Sequence, residues 1–467
     1  MRQIITSFVF LITCCSAYAQ ADTTEIIILS TNDVHGRIDN FSKMAAYVKG
    51  LKKIHKNVFV FNAGDLFNGN PVVDEAPQKG YPIFDLMNAV PYTVSCLGNH
   101  EFEYGEAILQ ERINQSSSVY VCANMQVAKQ SSLHPLKPYH ILHASDGTSI
   151  AVMGLTAGSS NPCLVKNISM LSPVKAALQY RHLKDSADVL IALTHIGYKA
   201  DSTLAMQMKE LDVIVGGHSH TEMPNGAMVN GTLITQAGDK LRFIGKTVLK
   251  IKQHKIVDKS FTMVDVESMT ETDKAVQEKI DTYNTNPVFK TIAGYSTGFS
   301  NKEAIGCLKT DALRDTLQLD IVFDHARNIS WPAFPEGKIS LGDIYEWDSY
   351  DYHTMRFDLT PTQLRIVILN SLKGAEVPVL FVSGITYTIQ RDENGVTNNI
   401  ILKHNDVVLN ESKSYSVGMN SFIACQFMKG ITAHPVEMQI TSAEAVTRYL
   451  QKHPKVDYLH AKRIFEN

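Results

Sequence analysis

Tyr92-Thr93-Val94-Ser95-Cys96-Leu97-Gly98-Asn99-His100-Glu101 is the stretch on which the reading of this chain turns. Tyr92 to Cys96 is a short run of β-branched, aromatic and apolar residues, the pattern of a buried strand. Gly98 lets the backbone turn tightly, so the side chains after it project from the strand's carboxyl end. Asn99 offers an uncharged oxygen. His100 offers an imidazole that can give a proton to, or take one from, an oxygen undergoing substitution. Alone, a polar pair on a loop reads as a solvated turn. Four further segments of the same construction change that balance.

On the amino-terminal side, Glu25-Ile26-Ile27-Ile28-Leu29-Ser30 ends in Thr31-Asn32-Asp33-Val34-His35-Gly36-Arg37, and Val58-Phe59-Val60-Phe61 ends in Asn62-Ala63-Gly64-Asp65. On the carboxyl side, Val189 to Leu193 ends in Thr194-His195-Ile196-Gly197. Val213-Ile214-Val215 ends in Gly216-Gly217-His218-Ser219-His220. Met44 to His55 and residues 82–90 carry helical spacing between them. Strands separated by helical stretches predict a layered α/β architecture, and such folds gather functional loops at strand ends.

These loops hold Asp33, His35, Asp65, Asn99, His100, His195, His218 and His220. Asp33 and His35, like His218 and His220, are two residues apart; on an extended segment they face the same side and can chelate one ion. Oxygen and nitrogen donors without thiolate suit zinc, manganese, iron or cobalt rather than a cysteine-lined structural zinc site. The donors are too many for one tetrahedral ion, and two ions bridged by a carboxylate use them all. Two ions about 3.5–4 Å apart clamp the attacking and leaving oxygens of an in-line displacement at phosphorus and acidify a bound water. Each segment has a plainer reading by itself: Asp-x-His as a turn, Gly-Asp as commonplace, His195 as a satisfied core histidine. Five together, each at a strand end, outweigh it.

The length of 467 residues predicts two or three domains. With 19% charged and 44% hydrophobic residues the chain reads as globular, and a net charge of −3 leaves no footprint for a nucleic acid polymer. Arg2, the apolar run Ile4 to Ile12 and Ala17-Tyr18-Ala19 read as a signal peptide over residues 1–19, so the protein is expected to be secreted, periplasmic or extracellular. A lipoprotein signal at Cys14 or Cys15 ranks second, because Thr13 stands where a smaller residue is usual. No later stretch predicts a membrane span. The other five cysteines are scattered, with no CxxC and no disulfide framework.

Asp33-x-His35, Gly64-Asp65, Gly98-Asn99-His100-Glu101, His195 and Gly217-His218-x-His220 resemble the ordered signature of the calcineurin-like metallophosphoesterases. Ser30 to Gly36, Asn99-His100-Glu101-Phe102 with Tyr104-Gly105, and Gly216 to His220 are similar to the 5'-nucleotidase branch. The resemblance implies a four-layered α/β/β/α metallophosphoesterase domain over 24–268 and two divalent ions, zinc or manganese. It assigns Asp33, His35, Asp65 and His220 to one ion and Asp65, Asn99, His195 and His218 to the other. His100 would stabilise the transition state and assist the leaving oxygen. The family has an Asp three residues after that His. Glu103 stands here, one methylene longer, which predicts a looser or differently aimed hydrogen bond.

Glu271 to Tyr283, with Ala275, Val276 and Ile280 on one face, predicts a linker helix within 269–290. Residues 291–467 resemble the smaller α/β 5'-nucleotidase C-terminal domain through Ile305-Gly306-Cys307-Leu308, Asp311 to Arg314, Gly337 to Tyr345 and Val382 to Tyr387. In the family that domain grips the nucleoside. The glycine-rich loop expected there reads Phe323-Asp324-His325-Ala326-Arg327-Asn328-Ile329-Ser330, and the arginines expected just before Ile305 are missing. Tyr350 and Phe422 stand where the resemblance places a base clamp, and could stack a flat group or simply pack. The expected activity is hydrolysis of a small phosphate ester, nucleotides first. Cyclic nucleotides or nucleotide sugars are alternatives, as is a ligand-binding member with little turnover.

Overall fold

The computed structural model describes residues 23–159, 165–329, 331, 333–348, 353–373 and 378–467. The leader expected over residues 1–19, with Cys14 and Cys15, lies outside the described residues, as does Tyr350.

The strand Thr24–Thr31 shows how the first half is built. Ile26 and Ile28 point to one face, Ile27 and Leu29 to the other, and all four are fully buried. A strand covered on both faces reads as an unbroken aliphatic run. It pairs in parallel with Val58–Asn62, which continues in parallel to Val94–Ser95 and Val119–Tyr120. Two antiparallel strands, Phe243–Lys252 and Lys255–Asp265, complete this six-stranded sheet. A second sheet of six has Ser149–Thr156, Val189–His195, Val213–Val215 and Thr232–Thr235 in parallel at its centre.

The two sheets face each other. Ile26, Ile28, Phe61 and Val94 of the first share one core with Val152, Val189, Ile191 and Val213 of the second. Ile27, Leu29 and Val60 pack outward against the helices Phe41–Ile54 and Tyr81–Ala89. Leu190, Ala192 and Ile214 pack outward beneath the helix Tyr198–Gln207. The order of layers is therefore α/β/β/α.

The helix Lys274–Tyr283 starts at Asp273, whose side chain accepts from the Val276 N–H. Val276 and Ile280, one turn apart, enter the core that holds Met44 and Val48, whereas Ala275 is exposed. The contact face is thus narrower than the sequence suggested, because neighbouring helix positions diverge by about 100°. In the second half a five-stranded sheet runs Leu380–Ser383, Ile321–His325, Tyr415–Asn420, His353–Leu359, Val436–Thr441. The helix Lys302–Leu317 packs Ala304, Ile305, Leu308 and Ala312 into the second-half core, which also holds Phe323 and Trp347. Cys96, Cys122, Cys307 and Cys425 are free thiols. Among the described residues no helix is long and apolar enough to cross a membrane.

Candidate metal centre

The five loops converge where the parallel strands end. Their backbone is not extended there: Asp33, His35, Asp65, Asn68, His218 and His220 all have φ between 49° and 78°. This corrects the extended Asp-x-His and His-x-His geometry expected from the sequence. Left-handed backbone is uncommon outside glycine and persists only where the surroundings over-determine it. Here they do. Asp33 and His35 N–H donate to the carbonyls of Gly64 and Asp65 at 2.9 and 3.0 Å, which zips the first loop to the second. The His100 N–H donates to Asp65 Oδ1 at 2.8 Å, and the His218 N–H to Asp33 Oδ2 at 2.9 Å. Gly98 lies so close to the second loop that a Cβ on it would stand 2.1 Å from Asp65 Oδ1.

Three groups of donor atoms result. Asp33, His35 and His220 form the first, Asp65, His195 and His218 the second, and His35, Asp65 and His100 a third that shares a member with each. In the first, His35 Nε2 and His220 Nε2 are 3.2 Å apart, and Asp33 Oδ1 is 3.3 Å from His220 Nε2. In the second, Asp65 Oδ2 is 2.9 Å from His195 Nε2, and Asn99 Oδ1 is 2.7 Å from His218 Nδ1 and 3.2 Å from His195 Nε2. Three rings are held by their other nitrogen: His35 Nδ1 faces the Asn68 carbonyl at 3.0 Å, His195 Nδ1 the Ala63 carbonyl at 2.7 Å, and His220 Nδ1 the Asp239 carboxylate at 3.5 Å. Such partners fix the tautomer that leaves a lone pair for a metal.

The donors fit divalent cations. His35 Nε2 and His220 Nε2 face each other at close range, where one cation could be shared by both. Burial opposes ionisation of Asp65, yet His195 and His100 outweigh it and hold the carboxyl well below the usual range. Burial and the neighbouring His100 push His35 down to about 4, so it stays neutral. Burial also opposes protonation of His195, but Asp65 and Asp33 lift it to about 10. The two buried carboxylates thus draw positive charge into the cluster.

His100 lies beside this centre, its Nε2 3.9 Å from Asp65 Oδ2. Glu103 Oε1 is 3.5 Å from His100 Nδ1, at the outer limit of hydrogen-bond reach. A cavity of about 850 Å³ opens here between the two halves of the chain. Asn68, Glu103 and Tyr104 line one wall, and Met355, Phe357 and Ala424 the other. Phe422 does not line that cavity. Its ring meets His325 at 5.4 Å and Phe427 at 6.3 Å, packed on the second-half core.

Sequence reasoning gave no role to several residues that hold the loops. Glu101, fully buried, accepts from the N–H groups of Asp65, Leu66 and Gly98. Asn32 donates to Asp33 Oδ2 at 2.7 Å and accepts from the Ala237 N–H at 2.9 Å. Asp239 orients His220. Its signal was present, since Gly238-Asp239 closely follows the strand Thr232–Thr235 as Gly64-Asp65 follows its own.

Residues 26–222 match the family model of the calcineurin-like phosphoesterases, and residues 285–429 that of the 5'-nucleotidase C-terminal domain. Endonuclease YhcR of Bacillus subtilis (strain 168) is 27% identical over 457 residues, which cover 85% of this chain and 37% of that protein. The 5'-nucleotidase of Bos taurus is 29% identical over 233 residues, 43% of this chain and 39% of that one. The chain thus spans well under half the length of these curated relatives. The 5'-nucleotidase precursor of Thermus thermophilus superposes with a TM-score of 0.78 at 19% identity, covering 95% of this chain and 99% of that one, and so shares its fold.

Proposed function

Because the chain belongs to the calcineurin-like phosphoesterases and carries a 5'-nucleotidase C-terminal domain, we propose that it is a two-metal phosphohydrolase acting on small phosphate esters, nucleotides first. The observation that carries this reading is the convergence of five loops on overlapping donor groups. Asp33, His35, Asp65 and His220 would hold one ion, and Asp65, Asn99, His195 and His218 the other. Zinc or manganese suits this oxygen and nitrogen set. Two such cations, when bound, supply an acidified water and positive charge against the phosphate oxygens.

The chain's own residues do the rest. Asp65 stands between the two ion sites and sets their separation. Asn99 presents its oxygen to both His195 and His218. His100, almost buried and beside Asp65, steadies the charge that grows on the phosphoryl oxygens and hands a proton to the departing oxygen. Glu103 biases the His100 ring from its Nδ1 side. The 850 Å³ cavity next to His100 would house the alcohol part of the ester. Nucleotides are placed first because of the C-terminal domain match and the bovine relative's name. The leader-like residues 1–19 support export.

The test is phosphate release by the zinc- or manganese-loaded protein from nucleoside monophosphates, cyclic nucleotides, nucleotide sugars and simple phosphate esters. Release from nucleoside monophosphates above the simple esters is expected. Equal release from all would remove nucleotide preference, and no release from any would remove the phosphohydrolase reading.

A further inference from the structure

Asn68 lies where two histidines of the site meet. Its carbonyl is 3.0 Å from His35 Nδ1, and its side-chain Nδ2 is 3.3 Å from His100 Nδ1. The Glu103 carboxylate stands farther from the same nitrogen, at 3.5 Å.

The position of Asn68 is built rather than incidental. Its N–H donates to Asp74 Oδ1 at 3.0 Å, and the next two, from Gly69 and Asn70, donate to Asp74 Oδ2 at 2.8 and 2.9 Å. The Tyr104 hydroxyl donates to the same carboxylate, and its ring packs on Phe67 at 4.6 Å. Asn68 and Asp74 are both buried. Asn68 has φ 69°, a conformation asparagine adopts more readily than most residues.

The amide suits the task. Its Oδ1 is buried and meets no donor among the described residues. An amide turned over about its last bond exchanges donor for acceptor. Whichever ring nitrogen of His100 carries the proton, Asn68 can therefore meet Nδ1, as donor in one orientation and as acceptor in the other. The second orientation also gives Oδ1 a donor. A carboxylate such as Glu103 can only accept.

We propose that Asn68 is a positioning residue for His100, sharing with Glu103 the aiming of its ring at the leaving oxygen. The proposal rests on the phosphohydrolase reading. It separates from a general role in folding through the leaving group. A nitrophenolate departs without a proton, whereas an alkoxide needs one, so a misaimed His100 harms the alkyl ester more.

Asn68→Gly keeps the left-handed backbone available, and Asn68→Asp keeps an acceptor. Metal content, kcat and KM would be measured with 4-nitrophenyl phosphate and with an alkyl phosphate. Asn68→Gly is expected to keep its metal, to lose about tenfold or more in kcat on the alkyl ester, and to lose no more than about threefold on the aryl ester, with KM steady. Asn68→Asp should recover part of the loss. Equal losses on both esters, loss of metal, or unchanged rates on both would each overturn the proposal. A wild-type protein inactive on both esters would instead overturn the phosphohydrolase reading, and this proposal with it.

Discussion

The two halves of this chain treat buried polar groups in opposite ways. In the first half they are aimed at a common point. Asp33, Asp65, Asn99 and His195 are nearly or fully buried, each is oriented by a defined partner, and the backbone beneath them is left-handed at Asp33 and Asp65. In the second half the buried polar groups are turned on each other. Lys309 Nζ lies 2.9 Å from Asp324 Oδ2 and 2.7 Å from Asp348 Oδ1, all three side chains closed off from water. His325 stacks on Phe427 at 5.7 Å and meets Phe422 edge-on. A metal centre permits few residue types at few positions. A wall that holds an organic group permits many, so the two halves carry unequal information about function.

The sharpest way to break the comparison is at Asp65. Asp65→Ala should lower turnover at least about a thousandfold and reduce bound metal, because in the proposed two-ion site this carboxylate serves both ions. His100→Ala should lower turnover about 10²–10⁴-fold while leaving metal content at the wild-type level. Metal analysis beside phosphate release separates the two. A full complement of metal in the Asp65 variant would remove its bridging role.

Lys309→Met tests whether the second-half network is structural. It would leave two buried carboxylates without their cation, a change that costs about 3–5 kcal/mol in comparable buried pairs. Urea unfolding should show that loss, while the folded fraction keeps its metal. A loss of metal with stability intact would mean that the second half shapes the centre.

Asp201 is a buried carboxyl of the first half that lies outside the donor groups. It accepts from the Thr194 hydroxyl at 2.7 Å, and burial pushes it up to about 7. The unfolded chain ionises this group near pH 4, while the folded chain holds the proton to about pH 7. The unfolded state therefore binds fewer protons within that window, and stability falls as pH rises through it. At about 1.4 kcal/mol per pH unit the whole effect is at most about 4 kcal/mol. Asp201→Asn should gain on the wild type between pH 4 and 7 and keep a constant lead above. A lead independent of pH would show that Asp201 is ionised throughout.

The same contrast sets how much the sequence could show. The strands were legible because runs such as Ile26 to Leu29 admit few other readings, and the loop chemistry because Asp, Asn and His at strand ends have few other uses. The left-handed backbone at Asp33 and His35 was not legible, since it comes from hydrogen bonds to Gly64 and Asp65, some thirty residues on. Glu101 and Asp74 were missed for the same reason: their partners are backbone N–H groups, which carry no mark in a sequence. Phe422 aligned with an expected base clamp; its ring packs with His325 and Phe427, contacts that depend on what the neighbouring loop offers and so carry no mark in a sequence.

The smallest expected effect concerns a contact that joins the two regions. Arg37, two residues beyond His35, pairs through its guanidinium with Glu346 on the helix Leu341–Trp347 of the second half. The two side chains retain 27% and 38% of their exposure, so water screens the pair. Exposed pairs of this kind contribute at most about 1 kcal/mol. A double-mutant cycle with Arg37→Ala and Glu346→Ala should therefore return a coupling below about 1 kcal/mol in unfolding experiments. The more telling readout is KM. Arg37 continues the loop that carries Asp33 and His35, so the pair ties a loop of the candidate metal centre to the half that forms the far wall of the cavity. A shift in KM with stability unchanged would mean that this weak link sets how the second half stands over the centre. The two regions would then differ in chemistry while acting as one site. An unchanged KM would leave the apolar walls to set their own distance.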